Sequence, residues 1–385
     1  MTPLSCCSSS AAAISVVVGL IGTAATAADW PTFRGAGRTA VAPDTDLLES
    51  WPAEGPPLIW EAKGAGRGYA SLAIAGGRTY TLGDGLSTAA DKDEYLSSVD
   101  RATGGPLWMT KTGEAWNEGK ESWQSSRSTP TVDGDMVYVI TPAGKLIACK
   151  AADGSEVFRV DLKERFGGKK GDAWGYSESV LVDGDRIVCT PGGEQAAMVA
   201  LDRKTGADIW TCPMPELRGA GHSSIVVSEV KGRRVYVQTT ASGPIGVDAA
   251  TGTLLWTYPI EQTVAVIPTP IIRDDLVFFS AGYRRGGALL RQVPKADGVA
   301  IEELYGLNVE LANKHGGIVL VGDHLYGDSD VKGIPFCAEL MTGKIAWKQR
   351  GSGKNSANVM AADGHVYVRY SDGTVSLVKA DPAEY

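Results

Sequence analysis

Charge is missing from the start of the chain, since Met1 to Ala27 contains no Asp, Glu, Lys or Arg. This stretch carries an apolar run from Ala11 to Ile21 and ends in Ala25-Thr26-Ala27, the make-up of a secretory signal cleaved after Ala27 or Ala28. The basic residues usual ahead of such a run are missing too, which keeps an uncleaved anchor or a misplaced start as alternatives. Nothing later approaches the ~18 apolar residues of a membrane span, so none is expected in the mature chain. Basic excess is also absent. The 37 Lys and Arg against 45 Asp and Glu leave a net charge of -8, a surface that repels nucleic acid and anionic lipid. Cysteine is sparse: Cys6 and Cys7 leave with the signal, and the "PLSC" before Cys6 precedes the apolar run, which excludes a lipid-attachment site. Cys149, Cys189, Cys212 and Cys337 remain, in a chain expected in the periplasm or outside the cell.

What the chain has instead is repetition. "VDRATGGPLW" sets Asp100, Gly104 and Trp108 at the spacing of Asp202, Gly206 and Trp210 in "LDRKTGADIW" and of Asp248, Gly252 and Trp256 in "VDAATGTLLW". "AELMTGKIAW" repeats it with Glu339, Gly343 and Trp347, and softer copies surround Gly154 with Phe158, and Gly298. Successive glycines lie 50, 52, 46, 46 and 45 residues apart. Upstream of each motif stand two short apolar runs around a turn, as in "TPTVDGDMVYVI" and "SVLVDGDRIVCT". Asp-Gly between such runs signals a hairpin, because its turn needs positive φ.

Each unit therefore reads as a hairpin, a third strand, a Thr-Gly turn and a fourth strand bearing the aromatic ring. Four-stranded units at this period predict an all-β propeller. Fourth strands ending at Trp60, Trp108, Phe158, Trp210, Trp256, the Glu302 to Tyr305 region and Trp347 make seven blades, or eight if Trp30 to Leu48 holds a divergent unit. The last unit has three strands, while "PPLIWEA" around Trp60 is a fourth strand without the first three, so the N-terminal strand is expected to complete the C-terminal blade and close the ring. The expected divisions are a signal over 1–27, an N-terminal extension over 28–57 and one propeller over 58–385.

The repeat resembles the pyrroloquinoline-quinone-like, or tryptophan-docking, repeat, which occurs in quinoprotein alcohol dehydrogenases and in the propeller scaffold of the outer-membrane β-barrel assembly machinery. The likeness spans Leu58 to the C-terminus, and "DWPTFRGAGRTA" is similar to the start of exported bacterial propellers of this type. Such likeness carries fold better than chemistry. The motif residues have structural work to do. Gly takes the positive-φ turn position cheaply, Asp accepts turn amides, and Trp fills the wedge between blades.

Function is expected in the loops that lead into the innermost strands, which crowd one face of the channel. They present Tyr69; Trp123 and Arg127; Trp174, Tyr176 and Glu178; His222; His315; and Asn355, a collection of rings and polar groups able to hold a flat ligand, a sugar or an extended peptide. Trp116, Trp123 and Trp174 stand outside the repeat motif and precede neighbouring inner strands, whereas His324 and His365 fall in hairpins and read as surface residues. The cysteines are expected as buried thiols. Cys189 and Cys212 lie two strands apart in one sheet, and ~9.5 Å exceeds the ~7 Å that a disulfide spans.

Two functions follow. The first is a non-catalytic scaffold binding a protein or polymer on the channel face, expected to be a monomer. The alternative, implied by the resemblance, is a dehydrogenase for an alcohol or sugar, holding pyrroloquinoline quinone between a Trp and a vicinal disulfide beside calcium. For that, Trp123 or Trp174 would stack on the quinone and Glu178 with Asn355 or Asn358 would supply calcium's oxygen ligands. The only vicinal cysteines are Cys6 and Cys7, and the base is unassigned.

Overall fold

A computed structural model describes residues 27–385 apart from 86–91, 121–122, 262–265 and 331. The strands form seven sheets of four, one per blade. The hairpins of blades one to seven open with strands Ala73–Ala75, Thr131–Asp133, Leu181–Asp183, Val226–Val230, Ile271–Arg273, Ile318–Val321 and Ala357–Ala362, which are innermost in every blade but the seventh. Each turns back antiparallel into the second strand, as where Gly134 at φ +60° links Asp133 to Met136–Ile140. Second strands such as Met136–Ile140 and Leu276–Ala281 are buried at every position, because the neighbouring blades cover both faces of each sheet. This explains their largely apolar sequences, in which the buried Ser280 hydroxyl is satisfied by donating to Leu311 O at 2.7 Å. The core is correspondingly divided among blade interfaces, one cluster joining Tyr138, Ile140 and Leu146 of blade two to Ile187, Cys189 and Val199 of blade three.

The aromatic rings dock from one blade onto the next. A Cβ on Gly154 would lie 2.4 Å from the Trp108 ring, and one on Gly252 would lie 2.6 Å from Trp210, so only glycine lets the ring lie flat against the turn. The indole nitrogens of Trp108 and Trp210 donate to the Ala151 and Ala249 carbonyls at 3.0 and 3.2 Å. Asp100, Asp202 and Asp248 each accept two turn amides and a Thr hydroxyl. The Thr103 and Thr205 hydrogen bonds hold the Asp100 and Asp202 carboxyls below their ordinary range. Trp256 departs from the pattern, because the softened copy ahead of it has no docking turn; its indole donates instead to Gln292 Oε1 at 3.2 Å.

The N-terminal segment closes the ring by a different route from the one its sequence suggests. Residues 58–60 form no strand: Pro56 and Pro57 supply no N–H to a ladder, and Leu58 and Ile59 stand 79% and 81% exposed. Trp60 nevertheless docks as a fourth-strand ring should, against Gly104, with its indole donating to Arg101 O at 2.9 Å. The strand that joins the C-terminal blade is Val41–Ala42, parallel to Ala357–Ala362 on its channel side. Nor does Trp30 to Leu48 hold an eighth blade.

That segment instead occupies the channel. Trp30 exchanges backbone hydrogen bonds with Ile74 of blade one at 2.7 and 2.8 Å, and Pro31 O accepts from Val132 N of blade two at 2.8 Å. Arg38 donates to Val180 O of blade three and, at 2.9 Å, to Ile225 O of blade four. Arg34 donates to Ile318 O of blade six at 2.5 Å, and Ala40 O accepts from Ala361 N of blade seven at 2.8 Å. Burial without a carboxylate hydrogen-bond partner pushes both guanidinium groups down to about 10. A cavity of about 340 Å³ remains beside this plug, lined in part by Pro31, Arg38, Thr131, Leu181 and Val226.

Cys149, Cys189, Cys212 and Cys337 are buried free thiols. Cys189 pairs with Val199 and Cys212 with Met198, on opposite sides of the third strand, which keeps them apart as the strand spacing requires.

Candidate binding face on the lead-in loops

The lead-ins to blades one to four form a continuous group. Tyr69, 57% exposed, donates its amide to Ser126 O at 2.7 Å and lies under the Arg127 guanidinium, 4.9 Å from ring to cation. Arg127 also lies over the buried Trp116 ring at 5.5 Å and donates to Trp123 O. Its Nε is buried without a hydrogen-bond partner. Trp123 is 41% exposed, with Lys120 4.8 Å from its ring, and meets Trp174 edge-on at 5.3 Å. Trp174 in turn covers the His222 ring at 6.0 Å.

His222 is hydrogen-bonded through both ring nitrogens. Its Nε2 lies 2.8 Å from Asp172 Oδ2 and its Nδ1 2.6 Å from Ser177 Oγ. Burial alone would raise the Asp172 carboxyl, but the His222 hydrogen bond and nearby positive charge hold it below its ordinary range. An ionised Asp172 accepts from Nε2–H, so Nδ1 is the imidazole acceptor and Ser177 donates to it. Burial, then the Lys170 charge, push His222 down to about 4, so the ring is neutral near pH 7. The order Asp–His–Ser is that of a proton relay. Here Trp174 covers the imidazole and leaves the residue 7% exposed, and the trio clasps the lead-ins of blades three and four together.

Tyr176 and Glu178 point into the body of the propeller. Tyr176 is buried and donates to Pro191 O at 2.8 Å. Glu178 is buried and accepts from Thr190 N at 2.7 Å, Thr190 Oγ1 at 3.1 Å and Gln238 Nε2 at 3.1 Å. Burial pushes its carboxyl up to about 7 even though Arg38 and Lys170 oppose the rise. Lys170 donates to Gly221 O and lies 5.7 Å from the Tyr176 ring, and burial lowers its ammonium to about 8. His315 and Asn355 stand apart from this group, in the lead-ins to blades six and seven. Both are exposed, and Asn355 adopts φ +64°.

Sequence reasoning passed over Ser177 and Lys170. The spacing held a signal: Asp172 and Ser177 precede His222 by 50 and 45 residues, one repeat period, and so occupy adjacent blades at matching heights. It also passed over Glu94, which accepts from Ser126 Oγ at 2.7 Å and Thr112 Oγ1 at 2.8 Å and is raised to about 7 by burial.

A family model described as outer membrane protein assembly factor BamB matches residues 92–349. The chain belongs to this family. No curated protein sequence matches it. Among solved structures, BamB from Moraxella catarrhalis is 18% identical, with 80% of this chain and 82% of that chain covered at a TM-score of 0.56. That likeness is one of fold. Looser matches include a quinohemoprotein alcohol dehydrogenase from Pseudomonas putida HK5, 14% identical over 88% of this chain and 75% of that one at a TM-score of 0.42. A europium-containing methanol dehydrogenase is 10% identical over 91% and 89% at 0.45. BamB-family membership fits the docked rings and turn glycines described above.

Proposed function

We propose that this BamB-family propeller is an exported, non-catalytic scaffold that holds a protein or polymer partner against the lead-in face of blades one to three. The observation that carries the reading is the exposed pair Tyr69 and Trp123, bound together by Arg127 and standing on a hub filled by the chain's own N-terminal segment. Large, stiff aromatic surface beside a cation suits an extended peptide or a glycan, and it loses little side-chain entropy on binding. The filled channel gives these loops a rigid base.

The quinone and calcium implied by the resemblance do not fit the residues present. Glu178 is buried and already accepts three hydrogen bonds from Thr190 and Gln238, which leaves its carboxylate committed within the body of the propeller. Asn355 belongs to the lead-in of blade seven, and Cys6 and Cys7 lie outside the described residues. Among the described residues no three His, Cys, Asp or Glu side chains could share a metal.

The test is partner capture from the protein's own cell envelope by the mature chain and by a Tyr69→Ala/Trp123→Ala double variant. The reading expects a defined partner bound by the parent and lost from the variant at unchanged melting temperature. Equal capture by both would remove the lead-in face from the account.

A further inference from the structure

The channel segment begins and ends at one contact. The Ala28 backbone nitrogen lies 2.7 Å from Asp44 Oδ1, sixteen residues on, just past the closing strand Val41–Ala42. Between these points the segment threads the channel. From Asp29 onward the chain is held at once: Asp29 accepts from Arg101 Nη1 at 3.3 Å and from Gly76 N at 3.1 Å, and Trp30 then pairs with Ile74. Ala27 is exposed and offers its carbonyl to Arg101 Nη2 at 2.7 Å. The small residues Ala25 and Ala27 satisfy the positions that signal processing reads.

We infer that the Ala27–Ala28 bond is the processing site, and that the ammonium created there clasps Asp44 and closes the channel segment into a loop. The inference rests on the export reading above. Hydrolysis adds one water: Ala27 departs with the new carboxylate, and Ala28 keeps the nitrogen as an amine, protonated below an ordinary α-amino pKa of about 8. The uncut chain offers Asp44 an amide hydrogen; the cut chain offers it a positive charge at the same place. Arg101 gives up the Ala27 carbonyl and keeps Asp29. Cleavage one residue later would delete the nitrogen that meets Asp44.

The charged groups around the new terminus are Asp44, Asp29 and Arg101. Asp44 favours the ammonium, which raises its folded pKa above the unfolded value. With the carboxylate ionised, the clasp therefore holds from about pH 5 to about pH 8 and is lost as pH rises through the folded pKa of the ammonium.

The experiment is expression of the full chain with export, followed by intact mass and N-terminal sequencing. It is paired with melting of the mature protein, Asp44→Asn, and a mature chain carrying one extra Ala ahead of Ala28. We expect Ala28 as the first residue. Below pH 8 the parent should melt about one degree above both variants, with the gaps closing by pH 10. A chain exported but left uncut would overturn the processing site and the clasp, and a chain retained in the cytoplasm would overturn the export reading itself. A first residue other than Ala28, or a melting gap unchanged to pH 10, would overturn the clasp and leave export standing.

Discussion

Replacing Arg38 by Met tests whether the N-terminal segment is part of the propeller or merely lies in its channel. Met keeps the apolar stem and removes the guanidinium. Of its two carbonyl partners, Val180 O also accepts from Thr131 Oγ1 at 2.7 Å, so its loss is partial, whereas Ile225 O loses the 2.9 Å bond from Arg38. A buried acceptor left unpaired costs ~1–3 kcal/mol. The desolvation of the cation is relieved, but Glu178 loses one of the charges that favour its ionised form. The net expectation is a loss of ~2 kcal/mol, about thirtyfold in the folding equilibrium. Denaturant unfolding followed by tryptophan fluorescence measures this as a lower midpoint at unchanged slope. The surface control Arg273→Met, which removes an exposed pair with Asp323, should cost under ~0.5 kcal/mol. Equal midpoints for parent and Arg38→Met would refute the argument, since the plug would then contribute nothing to the fold.

Gly252→Ala should destabilise by more than the ~1–2 kcal/mol of a left-handed Ala, because its Cβ would also strike the Trp210 ring; thermal melting against Gly364→Ala, whose Cβ meets nothing, isolates the ring term. Ser177→Ala should lower the melting temperature, and the parent should give no Ser177 adduct with a fluorophosphonate; labelling in intact-mass spectra would show that the trio performs chemistry. The Glu178 carboxyl, raised to about 7 when folded, stabilises most below its unfolded value of about 4.3, and that contribution is lost as pH rises through 7. The melting temperature of the parent relative to Glu178→Gln should therefore fall between pH 5 and pH 8. Saturating pyrroloquinoline quinone with calcium should leave the melting temperature unchanged; a rise would restore the dehydrogenase reading.

The blades were legible because one docking ring and one positive-φ glycine per unit are required by packing, and each leaves its mark at a constant period. Even Trp60 showed its place correctly, although its prolines deny it a strand. The channel plug was not legible. Arg34 and Arg38 look like surface residues in a chain with no partner carboxylate nearby in sequence, and their acceptors are carbonyls contributed by three different blades. Within the site, the nearness of Trp123 to Trp174 followed from neighbouring lead-ins, whereas the contact of Trp174 with His222 was not read from the sequence. The inward turn of Tyr176 and Glu178 did not follow either, because residues 175–180 form no regular strand whose alternation would sort the side chains, and residue type does not tell which ones turn in.

Site-specific photo-crosslinking within the native envelope tests the central claim most directly, with the crosslinker placed in turn at Trp123 and at Met109, an exposed position on the outer strand of blade one. A binding face on the lead-in loops predicts a discrete adduct from position 123 and none from 109. Adducts from 109 alone, or the same pattern from both, would contradict it.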